Sequence, residues 1–276
     1  MTLATGVLQT LTYSDHFHFP LKLDEIQSRL FFHKPVSTAK IKLALDSLLQ
    51  AGTIQKQGVY YFLHGHGSYI KERQSNLRYS LTQLKVAKKL ASKIHKIPGI
   101  YAIYLTGSLA VLNSQAPSDL DFMIIAKPSR LWTTRFLLTI YTSILGLRRS
   151  PGSHDIANKL CLNLYLTPLS YLVPLPKRSL YTAYELVQAV PLYDPDNTHI
   201  DLLTANLWIR DYLPNYRFPP KTKLRTLQNT SVRNFWYYLE YILYCFQYLY
   251  MQSKITREYI TPQSAFFHPH DPSPKV

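Results

Sequence analysis

Leu105-Thr106-Gly107-Ser108 and, after an interval of ten residues, Asp119-Leu120-Asp121 decide how this chain is read. Ile100 to Leu105 is an apolar run that ends at the Gly-Ser pair, and Leu109 to Leu112 opens a short helical one. Pro117-Ser118 turns the chain into the aspartate pair, which leads a second apolar run, Phe122 to Ala126. The pattern predicts strand, glycine turn, helix, turn, strand. Glycine at such a turn lets backbone N–H groups approach a phosphate, and a helix N-terminus adds partial positive charge. Aspartates at i and i+2 of one strand point to the same face. Paired carboxylates suit Mg²⁺ where the ion also holds substrate phosphates. The expectation is a nucleoside triphosphate site, with Gly107 and Ser108 on the phosphates and Asp119 and Asp121 on the metal.

This combination resembles the signature of the DNA polymerase beta-type nucleotidyltransferase superfamily. The resemblance covers residues of about 98–127, and more loosely the region to about 215. It implies a Gly-Ser turn on the β- and γ-phosphates, an aspartate pair on Mg²⁺, and transfer of a nucleoside monophosphate to an acceptor with loss of pyrophosphate. The family adds a third carboxylate on a later strand. Here the next strand is Leu160 to Leu166, and its strongly polar residue is Asn163. Alternation predicts Asn163 on one face with Cys161 and Tyr165, opposite the four leucines. An amide can ligate Mg²⁺ through its carbonyl oxygen but is no general base near neutral pH. Asn163 is therefore a third candidate metal ligand, and Asp155, in the preceding loop, a candidate base if that loop folds back. Two functions follow. One is a Mg²⁺-dependent nucleotidyltransferase acting on an unidentified acceptor. The alternative is a catalytically weak or inactive nucleotide-sensing protein that binds nucleic acid or a protein partner.

A chain of 276 residues has room for two domains, and 46% hydrophobic residues can bury a sizeable core. Its 31 basic and 16 acidic residues give a net charge of +15, which favours polyanions, nucleic acid among them. Cys161 and Cys245 sit in apolar surroundings, predicting buried thiols and a reducing compartment, without zinc spacing. Met1 to Thr12 lacks the pattern of a secretory signal. Leu131 to Leu147 and Phe235 to Met251 fall short of the roughly 20 apolar residues that span a bilayer. These features predict a cytoplasmic protein without a membrane span.

The overall expectation is an α+β chain, with a nucleotidyltransferase-fold core between an N-terminal winged helix and C-terminal helices. Residues 1–66 read as the winged helix: a helix at Leu3 to Leu11, a second from Leu23, and a third capped by Ser37 and stopped by Gly52. Its hairpin turns at Gly58. The third helix carries an inward side of Ile41, Leu43, Ala44, Leu45, Leu48 and Leu49, with Lys40 and Lys42 as candidate duplex contacts. Residues 69–97 form a connecting basic helix with Leu77, Leu81, Leu84, Ala87, Leu90 and Ile94 inward. The core is assigned to residues 98–213, with helices over 179–213 and Arg148-Arg149 either reaching a triphosphate or closing a helix. Glu185 and Asp194 find no role. Residues 224–276 form a C-terminal helical segment and tail, whose aromatic stripe is read as core, with a base-stacking or dimer surface as the alternative, and whose His268 and His270 give a weak metal hint.

Overall fold

The structure is a computed structural model that describes residues 1–149, 155–220, 234–253 and 255–267; of 234 and 235 it describes the backbone alone. The chain begins with helices α1 (Leu3–Asp15), α2 (Leu23–Ser28) and α3 (Thr38–Gln50), then a hairpin of β1 (Ile54–Gln57) and β2 (Tyr60–Leu63). Thr2 caps α1 by accepting from the Thr5 N–H. Gly52, at φ 68°, ends α3: its N–H reaches Leu49 O at 3.0 Å and that of Thr53 reaches Leu48 O at 3.1 Å. That pair of bonds satisfies carbonyls the helix leaves open. Val7, Leu11, Ile26, Leu30, Ile41, Leu45, Ile54 and Tyr61 share one core, and Leu21 bridges Tyr61 beside the hairpin. Leu43 does not belong to it, being 70% exposed. It lies two residues from Ile41, about 200° round the helix, so the stripe of Ile41, Ala44, Leu45 and Leu48 turns it outward.

Helix α4 (Tyr69–Ile94) follows, then β3 (Ile100–Leu105), α5 (Gly107–Ala110), β4 (Leu120–Ala126), α6 (Leu131–Ile144) and β5 (Leu160–Leu166). The chain continues through α7 (Leu180–Gln188), β6 (Val190–Tyr193), α8 (Thr198–Ala205), α9 (Asn234–Gln252), β7 (Tyr259–Ile260) and β8 (Ser264–Phe266). One sheet runs β6-β3-β4-β5-β8-β7, with β4 and β5 parallel and its other pairs antiparallel. Helices α4, α6 and α9 pack on one face through Leu90, Ile94, Trp132, Leu138 and Met251. Helices α7 and α8 cover the other through Ala183, Leu186, Leu202 and Leu203. A mixed sheet between helical layers is an α+β arrangement.

Several expectations are corrected. Leu77 and Leu81 of α4 are exposed, and Asn76, Ser80 and Gln83 are buried instead. The first half of α4 packs on a polar turn: Asn76 donates to Asn113 Oδ1 at 3.0 Å, and the Ser114 N–H donates to Ser80 Oγ at 3.0 Å. Within 179–213, β6 is a strand; its Pro191 is tolerated because β6 is an edge. The aromatic stripe of α9 is core only in part: Tyr244 packs on Trp132 at 5.1 Å between ring centroids and against the core, but most of the stripe does not. Tyr237, Tyr238, Tyr241, Phe246 and Tyr250 are exposed, while Glu240 and Gln247 are buried. Glu240 accepts from the N–H groups of Trp132 (2.6 Å) and Thr133 (3.0 Å) and so caps α6 from a distance. Cys161 and Cys245 are both only partly buried. Among the described residues, no helix is long and apolar enough to cross a membrane. His268 and His270 lie outside the described residues.

Candidate functional site

Strand β3 delivers the Gly-Ser turn directly opposite the aspartates. Leu105 pairs with Phe122, and the Thr106 N–H continues the ladder to Asp121 O at 2.9 Å. The chain must then turn sharply, and Gly107 does so at φ 67°. A side chain there would strike Asp121 Oδ2, with its Cβ 3.1 Å from Asp121 Cγ. Glycine is required twice over, by backbone angle and by the carboxylate pressed against it. Helix α5 is a single turn, so it contributes less dipole than the sequence suggested, and Asn113 N–H returns to Ser108 O at 2.9 Å to close it.

Asp119 lies just before β4 rather than on it, yet it and Asp121 bring carboxylate oxygens within 4.8 Å of each other, and each carboxylate meets a donor of its own chain. Arg149 NH1 lies 2.6 Å from Asp119 Oδ2, brought there by the Arg149 N–H on Leu160 O at 3.0 Å. This bond raises the guanidinium pKa. Asn163 Nδ2 donates to Asp121 Oδ1 at 2.9 Å. Cys161, directly beside Asp121 in the parallel register, was not among the expected site residues. Its Sγ lies within 4.8 Å of an oxygen of each aspartate. Burial, then the charges of Asp121 and Asp119, push its thiol pKa well up.

The register between β4 and β5 shifts between Phe122/Leu162 and Met123/Leu164, so Asn163 is an extra residue. This corrects the expected alternation. Leu160 and Leu162 pack on one side of the sheet with Tyr165, and Leu164 and Leu166 on the other. A bulge of this kind re-aims a side chain, and here it puts the Asn163 amide on Asp121. Asp155 is not part of the group. It is 74% exposed and faces Lys159 Nζ at 3.3 Å.

Gly107, Ser108 and Asp121 open on a cleft of about 570 Å³, within the size of small-molecule sites. Helix α7 supplies the facing wall with Tyr184 and Glu185, and the N-terminal helices close a third side. Glu185 is thereby placed: only 8% exposed, it is a further carboxylate on the same cleft as Asp121. Asp194 is structural, accepting from the Thr198 and His199 N–H groups at 2.8 and 3.0 Å.

The donor set suits a hard divalent cation through its carboxylate oxygens; the Cys161 sulfur is a soft donor that Mg²⁺ does not use. Asn163 Oδ1 and Thr106 Oγ1, on residues flanking Asp121, are buried without a hydrogen-bond partner. Orphaned polar atoms are uncommon inside proteins, and Asn163 Oδ1, on the amide that meets the Asp121 carboxylate, fits a site that accepts a further group. Comparisons with family models, curated proteins and solved structures found no match to this chain.

Proposed function

We propose that the protein is a Mg²⁺-dependent nucleotidyltransferase that moves a nucleoside monophosphate from a nucleoside triphosphate to an acceptor. The observation that carries this reading is Gly107, in a left-handed turn pressed against Asp121 at the edge of the cleft. In this reading Gly107 and Ser108 hold the phosphates by their N–H groups and the Ser108 hydroxyl. Asp119 and Asp121 hold Mg²⁺, with Asn163 Oδ1 available if its amide turns over. Bound Mg²⁺ neutralises phosphate charge and eases departure of pyrophosphate. The acceptor oxygen bonds to the α-phosphorus, the bond from that phosphorus to the bridging oxygen breaks, and pyrophosphate leaves with the electron pair. Glu185 is the residue assigned to take the acceptor's proton, since Asn163 has no basic lone pair.

A second reading, a nucleotide sensor without turnover, is favoured by two observations. Asn163 stands beside Asp121 where a third carboxylate was expected, and Arg149 already neutralises Asp119. In either reading residues 1–66 act as a winged helix. Lys40 and Lys42, exposed on α3, would meet nucleic acid.

The test is incubation of the full chain with each labelled nucleoside triphosphate, Mg²⁺ and nucleic-acid, protein and small-molecule acceptors. Transfer that Asp121→Asn abolishes, at a nearly unchanged melting temperature, supports the enzyme. Binding without transfer supports the sensor. Neither binding nor transfer overturns both.

A further inference from the structure

The third side of the cleft comes from outside the sheet. Arg29, which caps the end of α2, Tyr13 near the end of α1, and Phe17 and Phe19 in the turn after it line the same space as Gly107 and Asp121. Arg29 feels the charges of Glu25 and Asp24 but makes no direct contact with either. Its nearest helical acid, Glu25, spends both oxygens on Arg73, at 2.6 and 2.9 Å. Among the described residues the Arg29 guanidinium has no hydrogen bond or ion pair; it lies 5.0 Å over the Phe19 ring. Burial lowers its pKa, the mark of a charge short of solvent. Arg29 is partly buried, and a guanidinium on the cleft with no hydrogen bond of its own has its fork of donors free for a phosphate.

This wall is also fixed in place. Tyr184 OH donates to Arg29 O at 2.8 Å, tying the end of α2 to α7. Asn113 Nδ2 donates to Phe17 O at 2.9 Å, tying the turn after α1 to the turn before β4. Tyr13 packs on Phe17 and Tyr184 with ring centroids 5.4 and 4.8 Å away. The cleft therefore offers aromatic surface and a forked cation opposite a Gly-Ser turn and a carboxylate.

We infer that the N-terminal unit supplies half of the ligand site: Arg29 binds a phosphate group of the nucleotide, and the aromatic turn packs its ring. Occupancy then clamps residues 1–66 to the sheet, so that ligand state is felt by the α3 surface. This inference rests on the nucleotide reading proposed above.

The experiment measures binding of each ribonucleoside, its monophosphate and its triphosphate, with Mg²⁺, to the full chain and to Arg29→Met, Arg29→Lys and Asp121→Asn. Arg29→Met is expected to weaken triphosphate binding by about ten- to a hundredfold, the loss of a charged hydrogen bond, with a smaller loss for the monophosphate and none for the nucleoside. Arg29→Lys, which keeps the charge without the fork, should fall between; it carries the test if Arg29→Met does not fold. In the native chain, triphosphate should slow hydrogen exchange across α2 and residues 13–19. Equal losses for nucleoside and triphosphate, unchanged affinity in folded Arg29 variants, or no slowing of exchange would overturn the inference. Binding that needs Asp121 but not Arg29 overturns this inference alone; no triphosphate binding by the native chain overturns the nucleotide reading with it.

Discussion

Gly107→Ala separates what the turn demands of the backbone from what Asp121 demands of it. An alanine at φ 67° pays the left-handed penalty of about 1–2 kcal/mol. Its methyl would also strike Asp121 Oδ2 and lie 3.2 Å from Asp121 Cβ. The carboxylate must rotate, and since Oδ1 accepts from Asn163 at 2.9 Å, rotation breaks that bond. A hydrogen bond to a charged group contributes about 1.5–3 kcal/mol, so the total loss is about 2.5–5 kcal/mol. Gly52→Ala is the control. Gly52 has nearly the same φ, 68°, but a Cβ there meets nothing within 4 Å, so only the backbone cost of about 1–2 kcal/mol remains. Urea denaturation followed by tryptophan fluorescence measures both. A Gly107→Ala loss within about 0.5 kcal/mol of the Gly52→Ala loss, smaller than any charged hydrogen bond, would refute the claim that the turn and the carboxylate are packed as one unit.

Other perturbations follow from the same contacts. Glu240→Gln should cost about 2–3 kcal/mol in urea denaturation, because a carboxamide offers one oxygen to the three donors of Trp132 and Thr133 that Glu240 now serves; wild-type stability would contradict the capping role. Burial lowers the pKa of His199 from 6.5. Below about pH 6.5 the unfolded chain therefore takes a proton that the folded chain does not, so stability is full above that range and falls with acidification, by up to about 1.4 kcal/mol per pH unit. His199→Gln should flatten that part of the profile, and an unaltered slope would exclude His199. Arg149→Met should change stability by under about 1 kcal/mol, since Arg149 is partly exposed. By removing a competitor for Asp119, it should tighten binding of Mn²⁺, a paramagnetic stand-in for Mg²⁺, by about fivefold; looser binding would mean that Arg149 supports the site.

Elements whose periodicity is local were legible in the sequence. The three N-terminal helices, the hairpin at Gly58 and strands β3, β4 and β5 all lie where their apolar patterns predicted them. The closeness of Asp119 and Asp121 was legible too, although Asp119 lies just before β4 rather than in it. What failed depended on contacts that spacing does not encode. Leu77 and Leu81 fit the helical stripe as well as Asn76 and Ser80 do; the polar turn at Asn113 and Ser114 decides which side of α4 turns inward. The stripe of α9 looked like core because its aromatics are many, yet most of them are exposed, and the buried polar residues Glu240 and Gln247 hydrogen-bond to α6. The bulge at Asn163 has no signature in a run of alternating leucines. Arg29 caps the end of α2 and Glu185 is a single residue in α7, and only the packing of α2 and α7 over the sheet puts them on the cleft that Asp121 lines.

The aspartate pair shows how such a site stays folded before it meets a ligand. Asp119, Asp121 and Cys161 present ligand atoms within 4.8 Å of one another. Two bare carboxylates at that separation repel by roughly 3 kcal/mol at an effective dielectric of about 20, a large share of a domain's stability. The chain offsets this with two donors of unequal kind. Arg149 brings a full charge from a partly exposed edge, and Asn163 brings a neutral amide from a buried bulge. Their release differs accordingly. Turning the Asn163 amide over replaces its N–H with Oδ1, which has no partner in the present arrangement, so a cation arriving at Asp121 gains an oxygen where it displaces a donor. Arg149 can swing into solvent at little cost, and in the proposed reading it then faces the phosphates that come with the ion. In the proposed reading, the same residues that hold the carboxylates together without a ligand would become, on rotation alone, partners for one.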